Sequence, residues 1–335
     1  MTKILKQNWF VVLVAIVLIG FSIFSVYDTN KGKLPGKSAS GKDVIATVGN
    51  DVNITADDVY SKLYDAGGES LLTLKFQAAV VDEAIDMDDE LEANAENIKA
   101  YLQSMAQSNA STYGMSAEDY IANTLSQYGY AADELDVFAR VQAKMGKMQE
   151  DYITNHIEEL FTPIHKENNG RTVSHILVKM ADANKPTDAE MSIVKGIEED
   201  LKTMSFEEVA KKYAEQGDTS SAQNGGYLGY MDKTTGYVQS FLDTALSLKA
   251  GERSEWVKES NDSYNGWHMI LVHETDKDKI LKDEKAKDSI YSAIASANTD
   301  LTTRYIKEAA DTLDIKYGNE EVQKHIEEVL SADEE

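Results

Sequence analysis

A chain of 335 residues with 42% hydrophobic side chains has material for real cores, so wholesale disorder is excluded and two or three domains are expected. Six lysines (Lys3, Lys6, Lys31, Lys33, Lys37, Lys42) lie in the first 42 residues against one acid, Asp28, leaving 27 basic and 57 acidic residues, a formal charge of −30, on the rest. Such a body repels phosphate, and with no basic aromatic groove to oppose that charge, nucleic-acid binding is excluded. The absence of cysteine removes disulfides, thiolate metal sites and lipid modification of a cysteine.

Residues 1–8 read as a cytoplasmic tail and Trp9–Tyr27 as a transmembrane anchor. This uncharged run spans roughly 28 Å as a helix, close to a bilayer's hydrocarbon core. It is longer than a signal-peptide core and ends Phe24-Ser25-Val26-Tyr27, a poor cleavage site. Lysines flank both ends, so positive charge alone does not set its orientation. Residues 28–42 read as a flexible Gly/Ser/Lys/Pro tether.

Order is predicted to begin at the strand Val44–Val48. Thr55 with Asp58 forms a capping box, and a helical pattern runs from there to about Leu160. Breaks are expected at Gly67-Gly68, Tyr113-Gly114 and Tyr128-Gly129-Tyr130. The acidic cluster from Asp82 to Glu90 lacks the glycine of a calcium loop and reads as a solvated helix face.

The stretch 171–275 has a different rhythm. A strand, Thr172–Lys179, precedes two helices opened by the capping boxes Thr187/Glu190 and Ser205/Glu208. A glycine turn, Asn224–Gly229, follows, then a helix near Phe241–Leu248 that Gly251 should cap. Trp256–Lys258 and Trp267–His273 complete the order as strands. From Ile280 to about Leu313 the chain is helical again, with a last amphipathic turn around Val322–Leu330.

Alternation in strands puts His175 on one face with Val173 and Leu177, and His268 with Ile270 and Val272. Buried imidazoles need partners, because an unsatisfied polar group costs ~1–3 kcal/mol. Two solutions are open: the histidines bond each other, or each takes a backbone partner. Metal chemistry is excluded by spacing, since the six histidines include no His-x-x-x-His pair.

These segments, in this order, resemble a parvulin-type peptidyl-prolyl isomerase domain. The flanking strand-and-helix region and C-terminal helix resemble PrsA-like foldases and SurA-like periplasmic chaperones. The resemblance implies an α+β fold, with a small antiparallel sheet wrapped by helices (171–275) inserted into a mainly helical chaperone domain made of 43–170 and 276–335. It also implies a His175–His268 pair beneath the catalytic surface, and a prolyl pocket of Leu228, Tyr237 and Phe241, with Tyr237 where methionine is usual. The polar residue beside the bond aligns without gaps to Thr219, and a one-residue slip brings Asp218 there instead. Ser263 and Asn265 match positions that usually hold hydroxyls, and Tyr227 departs from the family's Gly-Gly-Asp-Leu-Gly turn.

The expected function is therefore an extracytoplasmic, membrane-anchored foldase that needs no cofactor and acts on unfolded or newly translocated secreted proteins. Related proteins form crossed dimers, so a homodimer is compatible with the resemblance. Thr219, Tyr227 and Tyr237 instead favour a non-catalytic holdase that uses the parvulin fold to bind peptides. A cytoplasm-facing adaptor is a third reading, suggested by the lysines after the anchor.

Overall fold

The computed structural model describes residues 38–39, 41–49, 52–261 and 264–331, so the Trp9–Tyr27 anchor and Ser263 lie outside the described residues. Two compact units are present, one ending at Thr73 and one beginning at Leu74.

The first unit is a strand meander followed by a helix. β1 (Ser38–Ala39), β2 (Lys42–Val48) and β3 (Val52–Thr55) pair in sequence order. β1 and β2 reach into the segment expected to be a tether. Thr55 caps α1 (Ala56–Leu63): its hydroxyl accepts from Asp58 N at 3.1 Å while Asp58 takes the Thr55 N–H at 3.0 Å. The Gly67-Gly68 break is a wide turn in which Gly67 has φ 131°, a conformation open to glycine.

The second unit begins within α2 (Glu69–Ala84) and continues through α3 (Asp89–Asn109), α4 (Ala117–Gln127), α5 (Leu135–Asn155) and α6 (Ile157–Asn168). The acidic cluster is not one continuous helix face. The chain leaves helix after α2, and Asp88 restarts it by accepting from Leu91 N at 2.8 Å. Cap chemistry explains part of the acidity, since carboxylates satisfy the free N–H groups of a helix start.

A four-stranded antiparallel sheet follows, in the order β5-β4-β7-β6. Its strands are β4 (Arg171–Lys179), β5 (Tyr227–Met231), β6 (Val257–Asn261) and β7 (Tyr264–Glu274). Between β4 and β5 lie α7 (Asp188–Asp200), α8 (Phe206–Lys212) and the single turn α9 (Thr219–Ala222), and both sequence-read capping boxes open their helices. Two corrections apply here. The glycine turn leads directly into β5, an edge strand absent from the sequence reading. The helix α10 (Gln239–Ser247) ends where Leu248 becomes extended, and Gly251, at φ 81°, belongs to the next turn.

The C-terminal helical stretch is interrupted at residues 281–286, which turn and form one short 3₁₀ segment, and again at residues 298–300, giving α11 (Lys277–Ile280), α12 (Lys287–Ala297), α13 (Leu301–Ala310) and then α14 (Glu320–Ser331). One core joins Val80 and Val81 of α2, Phe161 of α6, Ile280 of α11, Ile290 and Ile294 of α12, and Ile306 of α13. Helices before and after the sheet thus close over the same apolar interior. Each fully buried side chain there contributes ~1.5–3 kcal/mol, which the separate helices could not gain alone.

Candidate active site

β4 is the central carrier. His175 lies opposite Ile270 of β7, and Leu177 opposite His268, which makes the two histidines diagonal neighbours on one face. Their rings stack at 5.3 Å between centroids, with His175 Nδ1 3.2 Å from His268 Nδ1. Both are buried, at 8% and 7% exposure.

The other nitrogen of His175 fixes the tautomers. His175 Nε2 lies 3.0 Å from Asp218 Oδ2 and 3.2 Å from Ser221 Oγ. An ionised carboxylate only accepts, so His175 donates from Nε2 and its Nδ1 must accept from His268 Nδ1–H. Burial lowers the pKa of both rings. For His175 the Asp218 carboxylate partly opposes that shift, and for His268 burial and the adjacent His175 bring it to about 4. The pair is therefore neutral at neutral pH.

Asp218 rather than Thr219 lies against the histidine pair. It caps α9, its Oδ1 accepting from Ser220 N at 3.0 Å, Ser220 Oγ at 2.6 Å and Ser221 N at 3.2 Å. Burial works to raise its carboxyl, yet hydrogen bonds from Ser220, Ser221 and His175 hold it well below the usual carboxylate range. Thr219 opens the same turn and is exposed. Ser220 and Ser221 went unremarked in the sequence, although Asp-x-Ser-Ser is a recognisable cap pattern. Gly217 brings this loop close to β4, since a Cβ there would lie 1.9 Å from Leu177 O.

The apolar wall stands beside the histidines. Phe241, at 2% exposure, meets both rings edge-on, 6.0 Å from His175 and 5.3 Å from His268 between centroids. Tyr237 lies 5.0 Å from Phe241, and Leu228 joins the same cluster with Val173, Ile270 and Val272. A bulge between β4 and β5 leaves Leu228 unpaired, because Val173 faces Gly229 and Ser174 faces Tyr227. Such an extra residue re-aims its side chain, here toward the His175 face.

Two residues named from the sequence lie elsewhere. Asn265 is three residues from His268 and so falls on the opposite face. There its Oδ1 takes the Ser260 hydroxyl at 2.7 Å and approaches Ala183 N at 3.5 Å. Tyr227 also faces away from the pocket: its hydroxyl donates to Asp283 and its ring is 5.5 Å from that of His273. Among the described residues no cluster of three potential ligands could hold a metal ion.

Residues 175–274 match the family model of the PPIC-type PPIASE domain, a rotamase. The foldase protein PrsA of Oceanobacillus iheyensis is 27% identical over 246 residues, 72% of each chain. The chaperone SurA of Pseudoalteromonas translucida is 34% identical over 123 residues, 35% of this chain and 27% of that one. Among solved structures, PrsA from Bacillus subtilis aligns with a TM-score of 0.47 and 23% identity, covering 85% of this chain and 98% of that one. The chain thus carries a PPIC-type domain and is homologous to PrsA foldases and SurA-like chaperones.

Proposed function

We propose, from a PPIC-type domain in a PrsA-homologous chain, that this protein is an extracytoplasmic foldase. Residues 171–275 isomerise X-Pro bonds, and the helices of 43–170 and 276–335 hold unfolded secreted clients. Trp9–Tyr27 anchors the chain in the cell membrane with the body outside. The observation that carries the enzymatic reading is the neutral His175–His268 pair, bonded to Asp218 and walled by Phe241, inside the matched stretch.

Amide resonance creates the barrier of ~18–20 kcal/mol, and neither a nucleophile nor a metal is needed to lower it. The planar imide is charge-separated, with negative charge on its oxygen, and twisting the C–N bond removes that separation. Seating the proline ring against Phe241, Leu228 and Tyr237 strips water from the imide and so disfavours the planar form relative to the twisted one. Asp218 acts in the same direction if the carbonyl oxygen comes near it, because like charge opposes the resonance form. The histidines hold Asp218 and keep the floor of the site neutral.

In the helical arm Tyr101, Tyr113 and Val137 are exposed by 67%, 65% and 51%, which supports contact with unfolded chains. The same residues favour the second reading, a holdase without turnover. The full chain in mild detergent should accelerate cis–trans isomerisation of a proline tetrapeptide. No acceleration by folded protein would remove the enzyme and leave the holdase. Protease added to intact cells should cut beyond residue 42, and protection there would overturn the outward orientation.

A further inference from the structure

Two carboxylates, Glu259 and Asp218, stand beside the pocket. Val257 of β6 pairs with His268 and packs in the apolar cluster of Phe241. Two residues on, Glu259 shares that face. Its Oε2 accepts from Ser240 Oγ at 2.6 Å, and Ser240 directly precedes Phe241 on α10. Lys258, between them in sequence, turns to the other face, where its Nζ sits 4.4 Å from the centre of the Trp267 ring. Asp218 stands on the far side of the histidines. Both carboxylates act on His268, which lies between them.

A peptide whose proline rests on Phe241 advances ~3.3 Å per residue when extended, so its neighbouring side chains reach the walls that carry these acids. We propose that the pocket selects X-Pro bonds flanked by a cationic side chain, lysine or arginine, with Glu259 as the specificity-determining residue. This rests on the isomerase reading above. The bond from Ser240 holds the carboxylate in place, so less side-chain freedom is lost when a cation pairs with it. The acidic body adds a field that draws cationic segments toward the chain. An acidic residue beside the proline meets repulsion from both carboxylates.

The test uses the full chain and two tetrapeptide series at low ionic strength, Ala-Xaa-Pro-Phe and Ala-Ala-Pro-Xaa, with Xaa as Lys, Ala or Glu. In at least one series kcat/KM should fall from Lys to Ala to Glu, with Lys above Glu by about three- to tenfold, the range a partly exposed ion pair supports. Salt should compress that ratio. Glu259→Gln should bring it toward one, Glu259→Lys should reverse it, and Glu259→Asp should keep it. Equal rates for Lys and Glu peptides in both series, or a ratio unchanged in Glu259→Gln, would overturn the proposal. Should no peptide be accelerated, the isomerase reading falls by itself. The preference is then judged from Kd values of the same peptides by NMR titration, where equal Kd for Lys and Glu overturns it and a Glu259-dependent order upholds it.

Discussion

β4 separates two polar clusters that begin alike and end differently. On the face of Val173, His175 and Leu177, two buried imidazoles bond each other and Asp218, beside a wall of Phe241, Tyr237 and Leu228. On the face of Ser174, Ile176 and Val178, Ser174 Oγ lies 2.6 Å from His273 Nε2, next to Tyr227 and Asp283. Each face offers a histidine with a hydrogen-bonding partner. The first sets its network against Phe241, Tyr237 and Leu228, and both of its rings are buried; the second borders a cleft where Phe206 and Leu271 are interleaved with Glu207, Asp283 and Lys285. The second ends on Asp283, from the segment entering the C-terminal helices. On the proposed function the apolar seat is what the chemistry requires, and histidine with hydroxyl alone does not supply one.

The apolar seat is where the difference should break first. Phe241→Ala should cost about 3–5 kcal/mol in urea unfolding, through lost burial and a cavity. Isomerisation kcat/KM should fall by about tenfold or more, on the order of 1.4 kcal/mol of transition-state stabilisation. If Phe241→Ala folds and keeps wild-type turnover, the wall does not distinguish the faces.

The buried pair should also show in the pH dependence of stability. His268 titrates near 6.5 when unfolded and at about 4 when folded. Between those values the unfolded chain binds more protons, so stability rises with pH. The contribution is complete above pH 6.5 and lost as pH falls toward 4, amounting to about 3 kcal/mol at ~1.4 kcal/mol per unit. Urea midpoints at pH 7 and 4.5 should lie further apart in wild type than in His268→Leu. Desolvation by the surrounding protein lowers His273 as well, but this residue keeps far more contact with solvent than His268, so His273→Gln should remove less of the slope.

Asp218 and Thr219 test the polar position. Asp218→Ala leaves the buried Nε2–H of His175 with Ser221 Oγ in place of a carboxylate and removes the α9 cap, so a loss of about 1–3 kcal/mol is expected, with reduced turnover. Thr219→Ala changes an exposed side chain and should stay within about 0.5 kcal/mol and leave turnover unchanged. Equal effects of the two would return the gap-free alignment to favour.

These residues show how far the chain could be read without coordinates. Strand parity puts His175 and His268 on apolar faces, and the same parity would have set Asn265 apart from them. The choice between Asp218 and Thr219 needed the cap of α9, a local signal that alignment by position passes over. β5 was hidden for a different reason. Gly225, Gly226 and Gly229 all have positive φ, a turn's signature. One of its backbone donors is met by a residue distant in sequence, as Tyr230 N donates to Ser289 Oγ at 2.7 Å. Local propensity carries no trace of such a partner.

Tyr227 makes the smallest difference and the sharpest test of the comparison. In the sequence it counted against catalysis, because it replaces the aspartate of the family's turn. In the structure its hydroxyl donates to Asp283, and burial followed by that carboxylate raises its pKa. It therefore acts between the sheet and the segment leading into α12, on the face away from Phe241. Tyr227→Phe should cost about 0.5–1.5 kcal/mol in unfolding, the net worth of one hydrogen bond. Asp283→Asn keeps an acceptor oxygen and loses only the charge, so it should cost less, and the double variant less than the sum of the two, because both act on one interaction. Turnover of a proline tetrapeptide should stay within about twofold in all three, a change under about 0.5 kcal/mol. A tenfold loss in Tyr227→Phe would mean that the two faces communicate through β5, where Leu228 is the next residue, and the division drawn at β4 would fail.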